Sequence, residues 1–184
     1  MPVAASLALV NSCDVSTTVG LRDRAVLMLL SRLGLRAGEV TRLRLDDIDW
    51  RTGEVVIAGK SGRVDRLPLP VDVGQALVDY LRGGRPAVAH REIFVGVHAP
   101  HRALSPTGTM SHIVAGASAR AGLERFRPHQ LRHGAASQML AAGGSLAEIG
   151  QVLRHASESS TALYAKVDFQ HLTLVARPWP SVIR

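Results

Sequence analysis

The chain predicts an α+β fold, mainly α, in which a helical domain carries one small three-stranded antiparallel sheet. Apolar residues recur at helical spacing in Leu21 to Leu33, in Asp72 to Leu81 and in the alanine-rich run after Pro128. Between Asp46 and Pro70 the pattern changes. IDW, EVVIA and VDRLPLP are short β-type runs, split by Arg51-Thr52-Gly53 and Gly59-Lys60-Ser61-Gly62. Glycine at both breaks describes hairpin turns, so the three runs form a meander. With 184 residues, 46% of them hydrophobic, the chain is one domain able to bury a proper core.

Residues 1 to 20 show no firm periodicity and read as a lead-in or linker stub, which puts the domain proper at 21 to 184. Arg22, Asp23 and Arg24 open the first helix and Gly34 ends it. GLRAGEV starts the next, running to Leu43 or Leu45. Arg36 therefore lies in a tight connection beside a helix N-terminus, where anions collect. Lys60 sits at the tip of the second hairpin. Its GKSG lacks the GxxxxGK spacing of a phosphate loop and leads into a strand. Asp72 caps the helix that Gly83-Gly84 ends, and Glu92 to Val97 is a short strand or a buried extended piece. His98 and His101 are loop residues. Ser105-Pro106 starts a helix reaching about Ala121, and Arg120, Arg125 and Arg127 make a basic approach to His129.

Pro128 suits a first helical turn, and His129 and Arg132, three residues apart, share one face of that helix. Gly143-Gly144 ends it, and Ser145 with Glu148 forms the capping box of another, which delivers His155 just past its last turn. The segment from Ser157 carries Tyr164. DFQHLTLVA is a last short helix, closed by Pro178-Trp179-Pro180.

The formal charge of +7 favours a polyanionic partner. Of 22 basic residues only Lys60 and Lys166 are lysines, so each raises the question of what arginine could not do there. A single cysteine, Cys13, excludes an internal disulfide and fits a cytoplasmic location. No apolar run is long enough to span a bilayer, and Met1 to Val10 lacks the basic start of a signal peptide. His129 and His133 have the spacing of a zinc pair but no HExxH glutamate and no third ligand, so no metal is expected. Two histidines, an arginine and a phenol between Arg127 and Tyr164 would suit a phosphodiester. A helical core with incidental polar residues is the other reading of that stretch.

With Arg36, Lys60, His129, Arg132, His155 and Tyr164 in this order, the chain resembles the catalytic domain of the tyrosine recombinases, the phage-integrase family. GLRAGEV looks like the first arginine motif, HQLRH the His-x-x-Arg motif, LRH the third basic position and ALYAKV the nucleophile motif. The spacings, twenty-three positions from Arg132 to His155 and nine from there to Tyr164, suit the family. The ending, ALYAKVD through ARPWP, looks similar to recombinases of bacterial mobile elements.

The resemblance implies transesterification in double-stranded DNA. Tyr164 attacks a backbone phosphate, leaving a 3′-phosphotyrosyl link and a free 5′-hydroxyl, with no metal or nucleotide cofactor. Arg36 and Arg132 would clamp the non-bridging oxygens with charge-assisted bonds. Lysine can release a proton where arginine cannot, which suits Lys60 as general acid to the leaving oxygen. His129 would accept the phenolic proton or hold a phosphate oxygen, and His155 would donate to the phosphate. Glu39 would buttress Arg36 or serve as an ordinary helix N-terminal carboxylate. The family commonly self-associates on DNA through its C-terminal segment, here Asp168 to Ala176. Such recombinases usually carry an N-terminal helical domain that clamps the duplex, and only about twenty residues precede this catalytic domain. A non-catalytic DNA-binding remnant with the same fold is the alternative; a type IB topoisomerase shares the chemistry, but the compact architecture argues against it.

Overall fold

The computed structural model describes residues 2–59, 64–106 and 108–154. Among them are seven α-helices and one three-stranded sheet, an α+β architecture that is mainly helical. Lys60, His155, Tyr164 and the expected helix from Asp168 to Ala176 lie outside the described residues, as does Pro178-Trp179-Pro180.

The segment read as a lead-in forms helix α1, Val3–Asn11, and belongs to the core. Leu9 is fully buried and Val10 and Cys13 nearly so, while Val3 and Leu7 point outward. The weak periodicity that hid this helix comes from alanine and valine on both of its faces. Helix α2, Thr18–Arg32, starts where the Thr17 hydroxyl accepts the Gly20 amide at 3.0 Å, earlier than the apolar run suggests. Every residue from Ala25 to Ser31 is buried, so α2 is the central helix rather than an amphipathic surface one. Arg22 and Asp23, placed at its opening by the sequence, are buried as well, and their side chains pair at 2.7 Å.

Gly34 has φ +60, and the chain turns there into helix α3, Ala37–Arg42. A Cβ at Gly34 would lie 2.5 Å from Leu153 Cδ2. Gly34→Ala therefore combines a left-handed backbone with a collision. It is expected to cost at least the ~1–2 kcal/mol of the backbone conformation alone, read as a lower urea midpoint.

A short 3-10 turn, Leu45–Asp47, leads into strands β1 (Ile48–Asp49), β2 (Glu54–Ala58) and β3 (Val64–Pro68), in the order β1-β2-β3 and antiparallel throughout. Ile48 faces Val55, and Leu67 also pairs with Val55 from the other side. These three residues and Ile57 are buried, so one face of the sheet covers the core. Ala58 pairs with Val64, and the connection between them contains Lys60.

Helix α4, Val71–Gly83, begins at Pro70 and not at Asp72. Proline at φ −57 already has the dihedral that entry requires, which leaves Asp72 in the first turn to bind Arg32 Nε at 3.0 Å. Residues 92–95 form an extended piece with two isolated bridges, Arg44 to Glu92 and Val95 to Ala103. Phe94 from this piece stacks on Tyr80 of α4, ring centroids 5.4 Å apart. Helix α5 is Gly108–Arg120, α6 Pro128–Ala141 and α7 Leu146–Val152. Proline opens α6, and Ser145 and Glu148 cap α7 reciprocally, as their spacing predicts. Helix α2 packs against α4 and α6, and this places the α2–α3 connection beside the start of α6 and the end of α7.

Candidate active site

Three stretches far apart in sequence meet at the end of α7. Arg132, on α6, is 9% exposed, and its guanidinium reaches both neighbouring stretches. Its Nη1 donates to the Gly34 carbonyl at 2.5 Å, and its Nη2 donates to the Leu153 carbonyl. Arg36 is the N-cap residue of α3, with extended φ −75 and ψ 148. Its Nη2 donates to the carbonyl of Arg154 at 3.0 Å. The two arginines thus bind adjacent carbonyls, those of the residues immediately before His155. Arg36 keeps 45% of its side-chain surface exposed and remains accessible to an anion from solvent.

Glu39 does both things the sequence left open. As the third residue of α3 it accepts the Arg36 amide at 2.7 Å on Oε2, a helix-capping contact. Its Oε1 accepts Arg36 Nη1 at 2.8 Å, which buttresses the guanidinium. Glu39 has a third partner, 115 positions away in sequence. Arg154 Nη2 donates to Glu39 Oε2 at 2.7 Å, and both side chains of that pair are 3% exposed. The sequence did hold one sign of Arg154. A helix end usually offers glycine for the left-handed residue that follows its cap, and α7 is followed by none. Arg154 occupies that place with φ +54.

Burial pushes the Glu39 carboxyl up, but the Arg36 amide, the Arg154 charge and the side-chain bonds from both arginines outweigh it. The net effect holds Glu39 below its ordinary value. A carboxylate depressed in the folded state stabilises fully above its unfolded value, about 4.3, and the contribution is lost as pH falls through the lower folded value. Glu39→Ala should leave Arg154 buried without its counter-charge, at a cost of about 3–5 kcal/mol. Glu39→Gln should cost less, because its amide oxygen still accepts, and should flatten the acid limb of stability. Urea titrations from neutral pH down through the acid range below the unfolded value read both effects.

His129 is exposed in the first turn of α6, one turn from Arg132. Its ring meets that of His133 edge-on, centroids 6.1 Å apart. Burial lowers the His133 pKa, and the charges of His129 and Arg132 act in the same direction. His133 therefore favours its neutral form beside the arginine. Among the described residues no group of three or more histidine, cysteine or acidic side chains could hold a metal ion, and no helix is long and apolar enough to cross a membrane.

Of the six residues expected from the sequence, the structure describes Arg36, His129 and Arg132. It joins the two arginines through the end of α7, with His129 on the helix that carries Arg132. Comparison with known proteins bears on the rest of the chain. The Phage integrase family model matches residues 5–171. A putative integrase/recombinase of Sinorhizobium fredii, y4rA, is 47% identical over 174 residues, which are 94% of this chain and 42% of that protein. A second from the same organism, y4gC, is 39% identical over 176 residues, 94% of this chain and 90% of its own length. The chain therefore spans less than half of the first relative and nearly all of the second. Among solved structures, the XerH site-specific recombinase in a post-cleavage complex with palindromic difH substrate has the same fold. Its TM-score is 0.81 at 22% identity, covering 97% of this chain and 52% of that one. A family model that runs across most of the sequence, with relatives this similar along nearly its whole length, means that the chain belongs to the phage integrase family.

Proposed function

We propose that this chain is the strand-cleaving part of a site-specific DNA recombinase, working through a 3′-phosphotyrosyl intermediate. One observation carries the reading. Arg36 and Arg132 converge from α3 and α6 onto the two carbonyls that precede His155, so two permanent cations are held at one place. Arginine remains protonated in any protein environment, and its planar fork matches two phosphate oxygens. Two such groups fixed beforehand stabilise the crowded, more negative transition state of attack on phosphorus. In this reading Tyr164 supplies the nucleophile, Lys60 the proton for the leaving 5′-oxygen, and His129 and His155 handle the phenolic proton and the phosphate.

The partner that suits this chemistry is double-stranded DNA. The net charge of +7 supports it, as does the DNA-bound state of the XerH relative in fold. Contacts from arginine to phosphate fix position without reading sequence and weaken steeply with salt. Self-association on DNA through residues 168–176 belongs to the same proposal. The test is a nicked duplex whose short downstream fragment, bearing the free 5′-hydroxyl, diffuses away after cleavage, trapping the covalent product. A protein–DNA adduct stable to denaturant is the expected result. Stoichiometric binding with no adduct at high protein concentration would instead favour a DNA-binding remnant.

A further inference from the structure

The end of α7 has a backbone shape that an arginine rarely adopts. Arg154 holds φ +54, where glycine is the usual residue because it has no Cβ to collide with the following carbonyl. Its side chain is nonetheless buried to 3% exposure. Nη1 donates to the Val152 carbonyl at 3.0 Å and Nη2 to Glu39 at 2.7 Å, while Nε has no hydrogen-bond partner among the described residues. Among the described residues Glu39 is the one carboxylate within ion-pair distance of this buried cation. An unfavourable backbone and a buried, incompletely bonded charge thus accompany one ion pair among the described residues.

That contact closes a ring. Arg36 donates through its amide and Nη1 to Glu39, and through Nη2 to the Arg154 carbonyl. Arg154 in turn grips the same Glu39 through Oε2. Among the described residues, every hydrogen bond of the Arg36 guanidinium therefore ends on Glu39 or Arg154. With Arg154 present, the carboxylate is held from two sides and cannot turn about its last torsion without breaking a charged bond. Without that side chain, Oε2 keeps only the Arg36 amide, and the plane that orients the Arg36 fork is loosened.

We infer that Arg154 is a positioning residue, which aims the Arg36 guanidinium by clamping Glu39 from the far side. The inference rests on the strand-cleavage function proposed above. A misplacement of about 1 Å at a catalytic group can cost on the order of 100-fold in rate. Arg154→Gly suits the left-handed backbone, keeps the carbonyl that Arg36 binds and removes the clamp together with the bond to the Val152 carbonyl. In single-turnover cleavage of nicked DNA by the full chain, this variant should form adduct about 100-fold more slowly. Its affinity in a mobility-shift titration should be nearly unchanged.

A second substrate separates positioning from mere folding. A methylphosphonate at the scissile position lacks the negative charge that Arg36 neutralises, so the gap between variant and parent should shrink on it. Should the single variant not fold, Glu39→Gln combined with Arg154→Gly removes both buried charges and allows the same two-substrate comparison. Parental rates in the glycine variant, or an equal slowdown on both substrates, would overturn the role of Arg154. A parent chain that forms no adduct at all would overturn the functional reading beneath it.

Discussion

Tyr164→Phe abolishes the covalent adduct on nicked DNA and leaves DNA affinity nearly unchanged; this is the expected result of the substitution with the largest effect. Phenylalanine keeps the ring and removes the one atom able to attack phosphorus. The chain has a second tyrosine, and the structure disqualifies it as a substitute. Tyr80 is fully buried, stacks on Phe94 at 5.4 Å, and its hydroxyl accepts the Val95 amide at 3.5 Å. Burial also pushes the Tyr80 phenol above its ordinary value, further from the phenolate that attack requires. The measurement is adduct yield in a denaturing gel, set beside a mobility-shift titration under the same salt. An undiminished adduct from the variant would remove Tyr164 from the mechanism.

Lys60→Arg should lose most of the cleavage rate although it conserves the charge. General acid help is typically worth ~100- to 10,000-fold, and arginine holds its proton too tightly to supply it. Lys60 belongs to the connection between β2 and β3, whose paired ends, Ala58 and Val64, hold the two strands in register. Substitution there changes the proton donor with little expected effect on the sheet. A substrate with sulfur at the 5′-bridging position separates charge from proton transfer, because a thiolate leaves without protonation. The arginine variant should regain cleavage on that substrate. Equal defects on oxygen and sulfur leaving groups would reduce Lys60 to a positional role.

Local patterns make much of this architecture legible in the sequence. Glycine breaks located the hairpins, Pro128 located the start of α6, and the Ser145–Glu148 box located α7. Each of these signals lives within a few residues, where backbone preference and short-range hydrogen bonds decide the outcome. The misreadings share the opposite property. Residues 3–11 read as a lead-in from sequence because the burial that defines helix α1 is supplied by other elements. Asp72 reads as a cap because its type suits one, yet the conformation of Pro70 makes the entry.

The order and residue types of the candidate site were determined by the sequence alone: Arg36, Lys60, His129, Arg132, His155 and Tyr164, with a carboxylate one turn beyond the first arginine. Only the tertiary structure decided which of the described groups meet. The bond from Arg36 to Arg154 closes 118 positions and that from Arg132 to Gly34 closes 98. No periodicity extends so far. Whether Glu39 serves the helix, Arg36 or a second arginine depends on which cations share its burial, and that is set by how α2, α3, α6 and α7 pack. The left-handed Arg154 is of the same kind. Its backbone preference argues against the conformation it adopts, and the packed site sets against it a buried counter-charge, Glu39, 115 positions away in sequence.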